Sequence, residues 1–197
     1  IRALRPLAKS VAVQLADGTR VPMEHDADGV WAARIDSADE PDYRLVTVYD
    51  DGVEHIADDP FRFLPTLGQI DLHLLGEGRH ENLWEILGAR LHTYAGPAGD
   101  VTGTSFAVWA PNALGVRVIG DFNQWDGFAH PMRRLGSTGV WEIFVTGVGA
   151  GTRYKFSVLC ADRVWRSKAD PMARRSETAP ATASIVDQSQ YEWGDDE

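Results

Sequence analysis

Within the polar run Gly120–Gly127, GDFNQWDG, stands one large ring, Trp125. An indole normally gains free energy by burial. Set among Asn123, Gln124, Asp126 and Gly127, this one either folds back onto a core or stays outside as a surface for something flat. A sugar ring is such a partner. Its axial C–H groups form an apolar face that stacks on an indole, and its hydroxyls need donors and acceptors around the rim. Asn123, Gln124 and Asp126 are of the right type for that rim. Lys155 in YKFSVL adds a cationic donor, and Trp165 in DRVWRSK adds a second ring where the next hairpin returns. Platform, cation and second ring together suit reversible binding of a neutral saccharide.

Bond-breaking chemistry has weaker support. Asp121, Asp126, Asp162 and Asp170 have the carboxylates that glycoside hydrolysis uses in pairs. All four sit in turns rich in Gly, Asn or Pro, where aspartate bonds its own backbone, so they read as turn formers and no catalytic residue is assigned. The six histidines lack metal-ligand spacing, so no metal is expected. GEGRH at Gly76 lacks the Lys-Ser or Lys-Thr of a phosphate loop, and neither a G-x-S-x-G elbow nor a dinucleotide fingerprint is present. No cofactor is implied.

The elements that would position these residues are short strands. VAVQL, VWAARI and YRLVTVY lie in the first half, FAVWA, VRVIG, VWEIFV and YKFSVL in the second, with Asp- and Gly-rich turns between. Such spacing predicts an all-β fold of sandwich type. Alternation puts Trp141, Ile143 and Val145 on one strand face and Tyr154, Phe156 and Val158 on another, with Arg153, Lys155 and Ser157 turned to solvent. The halves also echo each other. GVW at Gly29 returns at Gly139, YRLVTV at Tyr43 answers YKFSVL at Tyr154, and ADDP ending at Pro60 answers KADP ending at Pro171, with offsets of 110, 111 and 111. Two tandem immunoglobulin-like β-sandwiches joined by a short helical linker are expected. The linker is HENLWEILGAR, where Leu83, Trp84 and Leu87 can share a face and Gly88 can cap the end. The expected domains are 1–89, with the linker at about 80–89, then 90–190. Residues 191–197, ending WGDDE, read as the start of a connection to a further domain.

The charge of −10 argues against nucleic acid as a partner. It is uneven: 8 basic against 17 acidic side chains up to Ala89, then 11 against 12 from Arg90. The nearly balanced second half suits a neutral ligand better. One cysteine, Cys160, precludes an internal disulfide, and with no long apolar run and no secretory signal the chain reads as soluble, cytoplasmic, monomeric and free of membrane contact.

Several strings together carry a family resemblance. FAVWAPNA, VRVIGDFNQWDG, HPM, YKF, KADP and ATASIV resemble the family-48 carbohydrate-binding module of glycogen branching enzymes. HENLWEILGARL resembles the segment preceding that module in these enzymes, and the leading sandwich resembles the extra N-terminal domain of some bacterial members. The resemblance implies a parent that forms α-1,6 branches in glycogen through a covalent glycosyl-enzyme, with its acids on a (β/α)₈ barrel. That barrel is not in this sequence, so the fragment would bind or position α-glucan (glycogen or a maltooligosaccharide) for it. Related modules of kinase subunits stack maltose units on the tryptophan of G-x-F-N-x-W, with a lysine and a second tryptophan, which match Trp125, Lys155 and Trp165; Asn123 joins them on the rim. Two rival readings are a free-standing glycogen-binding or regulatory module and the front of a debranching or trehalose-releasing relative.

Overall fold

The structure, a computed structural model, describes residues 1–37, 41–95 and 99–188. The connection expected at 191–197 lies outside the described residues. The chain divides into two compact units, Ile1–Phe63 with Ala95–Asp100, and Leu64–Tyr94 with Val101–Glu197. Both are β-sandwiches, and the fold is all-β as expected. Among the described residues no helix is long and apolar enough to cross a membrane.

The first unit is built from β1 (Arg2–Leu4), β2 (Ser10–Leu15), β3 (Arg20–Pro22), β4 (Glu24–His25), β5 (Val30–Ala32), β6 (Tyr43–Val48) and β7 (Glu54–Asp58). They form two sheets, ordered β1-β5-β4 and β3-β2-β6-β7. Alternation along the strands turns Val11, Val13, Tyr43 and Leu45 inward, onto Ala3 and Trp31 of the other layer and onto Met23, between β3 and β4.

The second unit opens with two helices, α1 (Gln69–Gly76) and α2 (Leu83–Ile86). It continues through β8 (Gly88–Tyr94), β9 (Val101–Trp109), β10 (Gly115–Gly120), β11 (Arg133–Arg134), β12 (Val140–Thr146), β13 (Arg153–Leu159), β14 (Trp165–Lys168), β15 (Arg175–Ser176) and β16 (Ser184–Ile185). One sheet runs β11-β12-β9-β8; the other runs β10-β13-β16-β15, with β14 also paired to β13.

Each buried residue of the first core has a counterpart in the second. Ala3, Val11, Val13, Met23, Trp31, Tyr43 and Leu45 in the first unit take the places of Val108, Val116, Val118, Met132, Trp141, Tyr154 and Phe156 in the second. Polar details repeat as well. Trp31 Nε1 donates to the Arg5 carbonyl at 3.2 Å, and Trp141 Nε1 to the Ala110 carbonyl at 3.0 Å. Tyr43 donates its hydroxyl to Asp59 at 2.8 Å, and Tyr154 to Asp170 at 2.5 Å. The near-constant sequence offset therefore marks one fold used twice.

The helical segment packs on the second unit. Leu67 and Leu87, with Leu72, Leu75, Leu83 and Ile86 beside them, cover Ala107, Leu135 and Val140. Sheet β11-β12-β9-β8 is thus covered on both faces, and VWEIFV is buried on odd and even positions alike. Helix α1 carries no strong signal in the sequence reading. Trp84 departs from expectation: α2 makes one turn only, and its Trp84 stays 55 % exposed while Leu83 and Ile86 pack. Gly88 follows the helix with φ +88°, and a β-carbon there would meet the Met172 carbonyl oxygen at 3.0 Å.

Candidate functional site

Strand β10 delivers the GDFNQWDG loop from the edge of its sheet. Gly120 is the last residue of the strand, and a β-carbon there would meet the Arg153 carbonyl oxygen at 2.4 Å, so the position requires glycine. Phe122 then drops inward and stacks on Phe106, ring centroids 5.8 Å apart, which anchors the loop to the core. Asn123 pins it further. Its Oδ1 accepts from the Gly120 N–H at 2.9 Å, and its Nδ2 reaches the Val118 carbonyl at 3.0 Å and His130 Nδ1 at 3.1 Å.

Gln124 and Trp125 both take left-handed conformations, φ 54° and 63°. Each such residue costs on the order of 1 kcal/mol or more when it is not glycine. Two in succession are held only because the Phe122 anchor, the Asn123 bonds and the Trp125 N–H to Gly120 carbonyl bond (2.9 Å) over-determine the turn. The outcome is an indole that remains 38 % exposed. Beside it the Arg153 guanidinium, bound at 2.9 and 3.0 Å, holds the Asp121 carboxyl below its usual range. Trp125 thus stands on the surface of the loop.

Strand pairing brings the other expected residues to the same sheet face. Lys155 lies opposite Ile119, and Trp165 opposite Leu159, itself opposite Gly115. Lys155 is half-buried and donates from Nζ to Thr182 Oγ1 at 2.6 Å, which leaves ammonium donors for a ligand. Trp165 does not close the core; it is 38 % exposed. Asn123 departs from the rim role expected of it. Both donors of its amide are spent inside the loop, so it holds Trp125 in place instead of offering hydrogen bonds outward.

Two further residues on this face escape a motif-based reading. Arg117 sets its guanidinium 4.2 Å from the centroid of the Trp165 ring and 5.7 Å from that of Phe128. Phe128 is 58 % exposed. The period-2 signal for Arg117 was present, since Val116 and Val118 are core residues.

The aspartates considered for catalysis have structural partners. Asp126 caps the next turn by accepting the Phe128 N–H at 2.9 Å. Asp162 chelates Arg166 at 2.6 and 2.8 Å, which with the Val164 N–H brings it down to about 2. Burial pushes Asp170 up, and it accepts the Tyr154 hydroxyl and the Met172 N–H. His80 bonds Asp71 at 3.2 Å and belongs to the helical segment. An apolar cavity of about 350 Å³ lies between the helices and β9, lined by Leu75, Leu83, Leu87, Trp109 and Met172, on the other sheet. Among the described residues no cluster of three metal-ligating side chains occurs.

Comparison with known proteins agrees with this architecture. The chain is similar along its whole length to 1,4-alpha-glucan branching enzyme GlgB of Thermobifida fusca, 60% identical over 197 residues, 100% of this chain and 26% of the relative. The GlgB of Rhodococcus jostii is 58% identical over 197 residues, 100% of this chain and 27% of that protein. GlgB 1 of Streptomyces coelicolor is 55% identical over 196 residues, 100% of this chain and 24% of that protein. The chain therefore spans about a quarter of the length of the curated relatives it matches. Two family models match: residues 1–61 match the N-terminal domain of alpha-1,4-glucan branching enzyme GlgB, and residues 78–173 match carbohydrate-binding module 48, the isoamylase N-terminal domain. The first span is thus similar to the N-terminal domain of branching enzymes and the second to the family-48 carbohydrate-binding modules.

Proposed function

We propose that this chain is the non-catalytic front of a 1,4-α-glucan branching enzyme, in which the second unit holds α-glucan for a catalytic barrel supplied by the rest of a longer protein. The observation that carries the reading is the outer face of β10-β13-β14, which presents Lys155 and the exposed Trp165 ring, with the exposed Trp125 ring on the loop that leaves β10. An exposed indole gives sugar C–H faces a platform, and the Lys155 ammonium gives hydroxyls a donor. Holding the polymer here converts its next encounter with the barrel into an intramolecular event, at an effective concentration that reaches the millimolar range for short tethers. The first unit serves as a spacer or brace. The reading also makes the protein cytoplasmic and monomeric.

The test is binding of glycogen and maltoheptaose to the 197-residue chain and to Trp125→Ala. The substitution is expected to weaken binding about tenfold or more, equivalent to about 1.4 kcal/mol or more. Equal affinity of the two proteins sinks the assignment. Amylose incubated with the chain alone should keep its length distribution, since the aspartates of this unit are tied to turns, arginines and Tyr154.

A further inference from the structure

The outer face of β10-β13-β14, next to the Trp125 loop, is longer than one sugar ring. Lys155 and Leu159 bracket four residue steps of β13, about 13 Å at the usual rise of a strand, and Trp165 lies beside Leu159 at the far end. A ligand that touches Trp125 and Lys155 can reach Trp165 only if it is an oligomer. Between the two ends stand side chains that a saccharide would have to cross. The turn Gly127–Ala129 folds over the outer face of β10, because Gly127 has no β-carbon; one there would meet the Arg117 Cβ at 2.7 Å and the Ile119 Cγ2 at 2.9 Å. That close approach puts Phe128 beside Arg117. The Trp165 ring reaches across to β10, where a β-carbon on Gly115 would lie 3.4 Å from its Cη2. Arg117 then sits between two rings, one from the turn Gly127–Ala129 and one from the start of β14.

We propose that Phe128 and Trp165, held by Arg117, form a second contact region, so that this face grips two stretches of one α-1,4-glucan chain and favours chains long enough to bridge them. The inference rests on the glucan-binding reading above and adds to it a binding residue, Phe128, a positioning residue, Arg117, and a length preference. Phe128 is an exposed ring with an apolar face to offer, and it neighbours a strand whose other outward residues are Ile119 and Arg117. A guanidinium that stacks on an indole fixes the plane of the ring, which lowers the entropy lost when a sugar docks on it. Two weak contacts on one chain multiply once the ligand spans both.

The experiment is a calorimetric titration of the 197-residue chain with maltotriose and with maltoheptaose, repeated for Phe128→Ala, Arg117→Ala, Arg117→Lys and Trp125→Ala. The unsubstituted chain should bind maltoheptaose about tenfold or more tighter than maltotriose. Phe128→Ala and Arg117→Ala should keep the maltotriose affinity and lose most of that gain, with unfolding midpoints unchanged as expected for surface positions. Arg117→Lys keeps the charge and loses the planar stack, so it should behave as Arg117→Ala does. A full length gain retained in Phe128→Ala overturns the second contact region, and one retained in Arg117→Lys overturns the positioning role of the guanidinium. If Trp125→Ala binds both ligands as the unsubstituted chain does, it is the glucan-binding reading itself that fails.

Discussion

Matched through their strand pairing, β1 and β2 of the first unit run 105 residues ahead of β9 and β10 of the second, and β6 and β7 run 111 ahead of β13 and β14. Most of the difference enters at one place. Leu15 corresponds to Gly120, and Pro22, paired with Ala12, corresponds to Pro131, bridged to Arg117, so the offset rises from 105 to 109 across a single loop. In the first unit that loop is the tight turn Ala16–Thr19, closed by the Thr19 N–H on Asp17. In the second it has four more residues and builds the Trp125 turn. The outer faces diverge accordingly. Glu54 stands at the register position of Trp165, Arg44 at that of Lys155 and Ala12 at that of Arg117. Where the second unit exposes rings, the first closes with an ion pair, Arg20 to Glu54 at 2.7 and 3.1 Å. The interior was kept and the surface rewritten, which is how one scaffold carries a site in one copy and a spacer in the other.

If the two units are one fold used twice, their equivalent positions must fail alike. Gly29 and Gly139 are the sharpest case. Their φ values are +80° and +81°, and an added β-carbon would lie 2.8 Å from Pro6 Cα and 2.7 Å from Pro111 Cα. Alanine at either position combines left-handed strain with a clash against backbone that cannot swing away, a loss of about 2–4 kcal/mol. Urea unfolding monitored by domain-specific probes should show the two losses within a factor of two, and a tolerated alanine in either unit breaks the equivalence there. The buried phenol–carboxylate pairs come next. Burial, reinforced by Asp59 and Asp170, pushes both tyrosine hydroxyls far above their usual pKa and keeps them protonated donors. Tyr43→Phe and Tyr154→Phe each leave a buried carboxylate with one partner fewer, at a cost of about 1–3 kcal/mol. Tyr154 is fully enclosed and Tyr43 is 8 % exposed, so the second unit should lose more. The reverse ranking would mean that the second interior relaxes around the lost hydroxyl.

Much of this comparison could be read from the chain itself. Periodic strands, turn residues and three repeated strings sufficed for two sandwiches, since inward residues alternate and the repeat preserves them. The loop Trp125 was legible because an indole among turn residues contradicts its ordinary preference for burial. What stayed hidden has physical causes. Helix α1 offers no clear amphipathic stripe, so only packing on β9 and β12 selects it. Trp84 looked like a core residue on spacing alone, but α2 ends at Ile86 and Leu87 is already extended, so the helical face that would join Trp84 to Leu87 never forms. Asn123 has the chemistry of a sugar ligand and of a loop pin, and only coordinates show where its donors go. Phe128 and Arg117 meet through a turn folding over a strand, a contact that no local spacing encodes.

The smallest expected effect separates the two loops most finely. Asp17 and Asp121 open corresponding turns and both are held below the ordinary carboxylate value, for different reasons. Asp17 is lowered first by its own turn, through the Thr19 backbone N–H. Asp121 is lowered first by Arg153. A carboxyl whose folded value is depressed gives its full support above the unfolded value and loses it as pH falls through the folded one. Maltoheptaose affinity should therefore stay level from neutral pH down to about 4 and fall only below that. Asp121→Asn should weaken binding by about two- to fivefold at neutral pH, a modest loss because the ion pair is exposed, and the difference should vanish once pH falls through the folded value of Asp121. Asp17→Asn should leave the affinity untouched, since no ring stands on its turn. A decline that begins near pH 6 would assign the titration to another group, and equal losses from the two substitutions would mean that the first unit shares in holding the glucan.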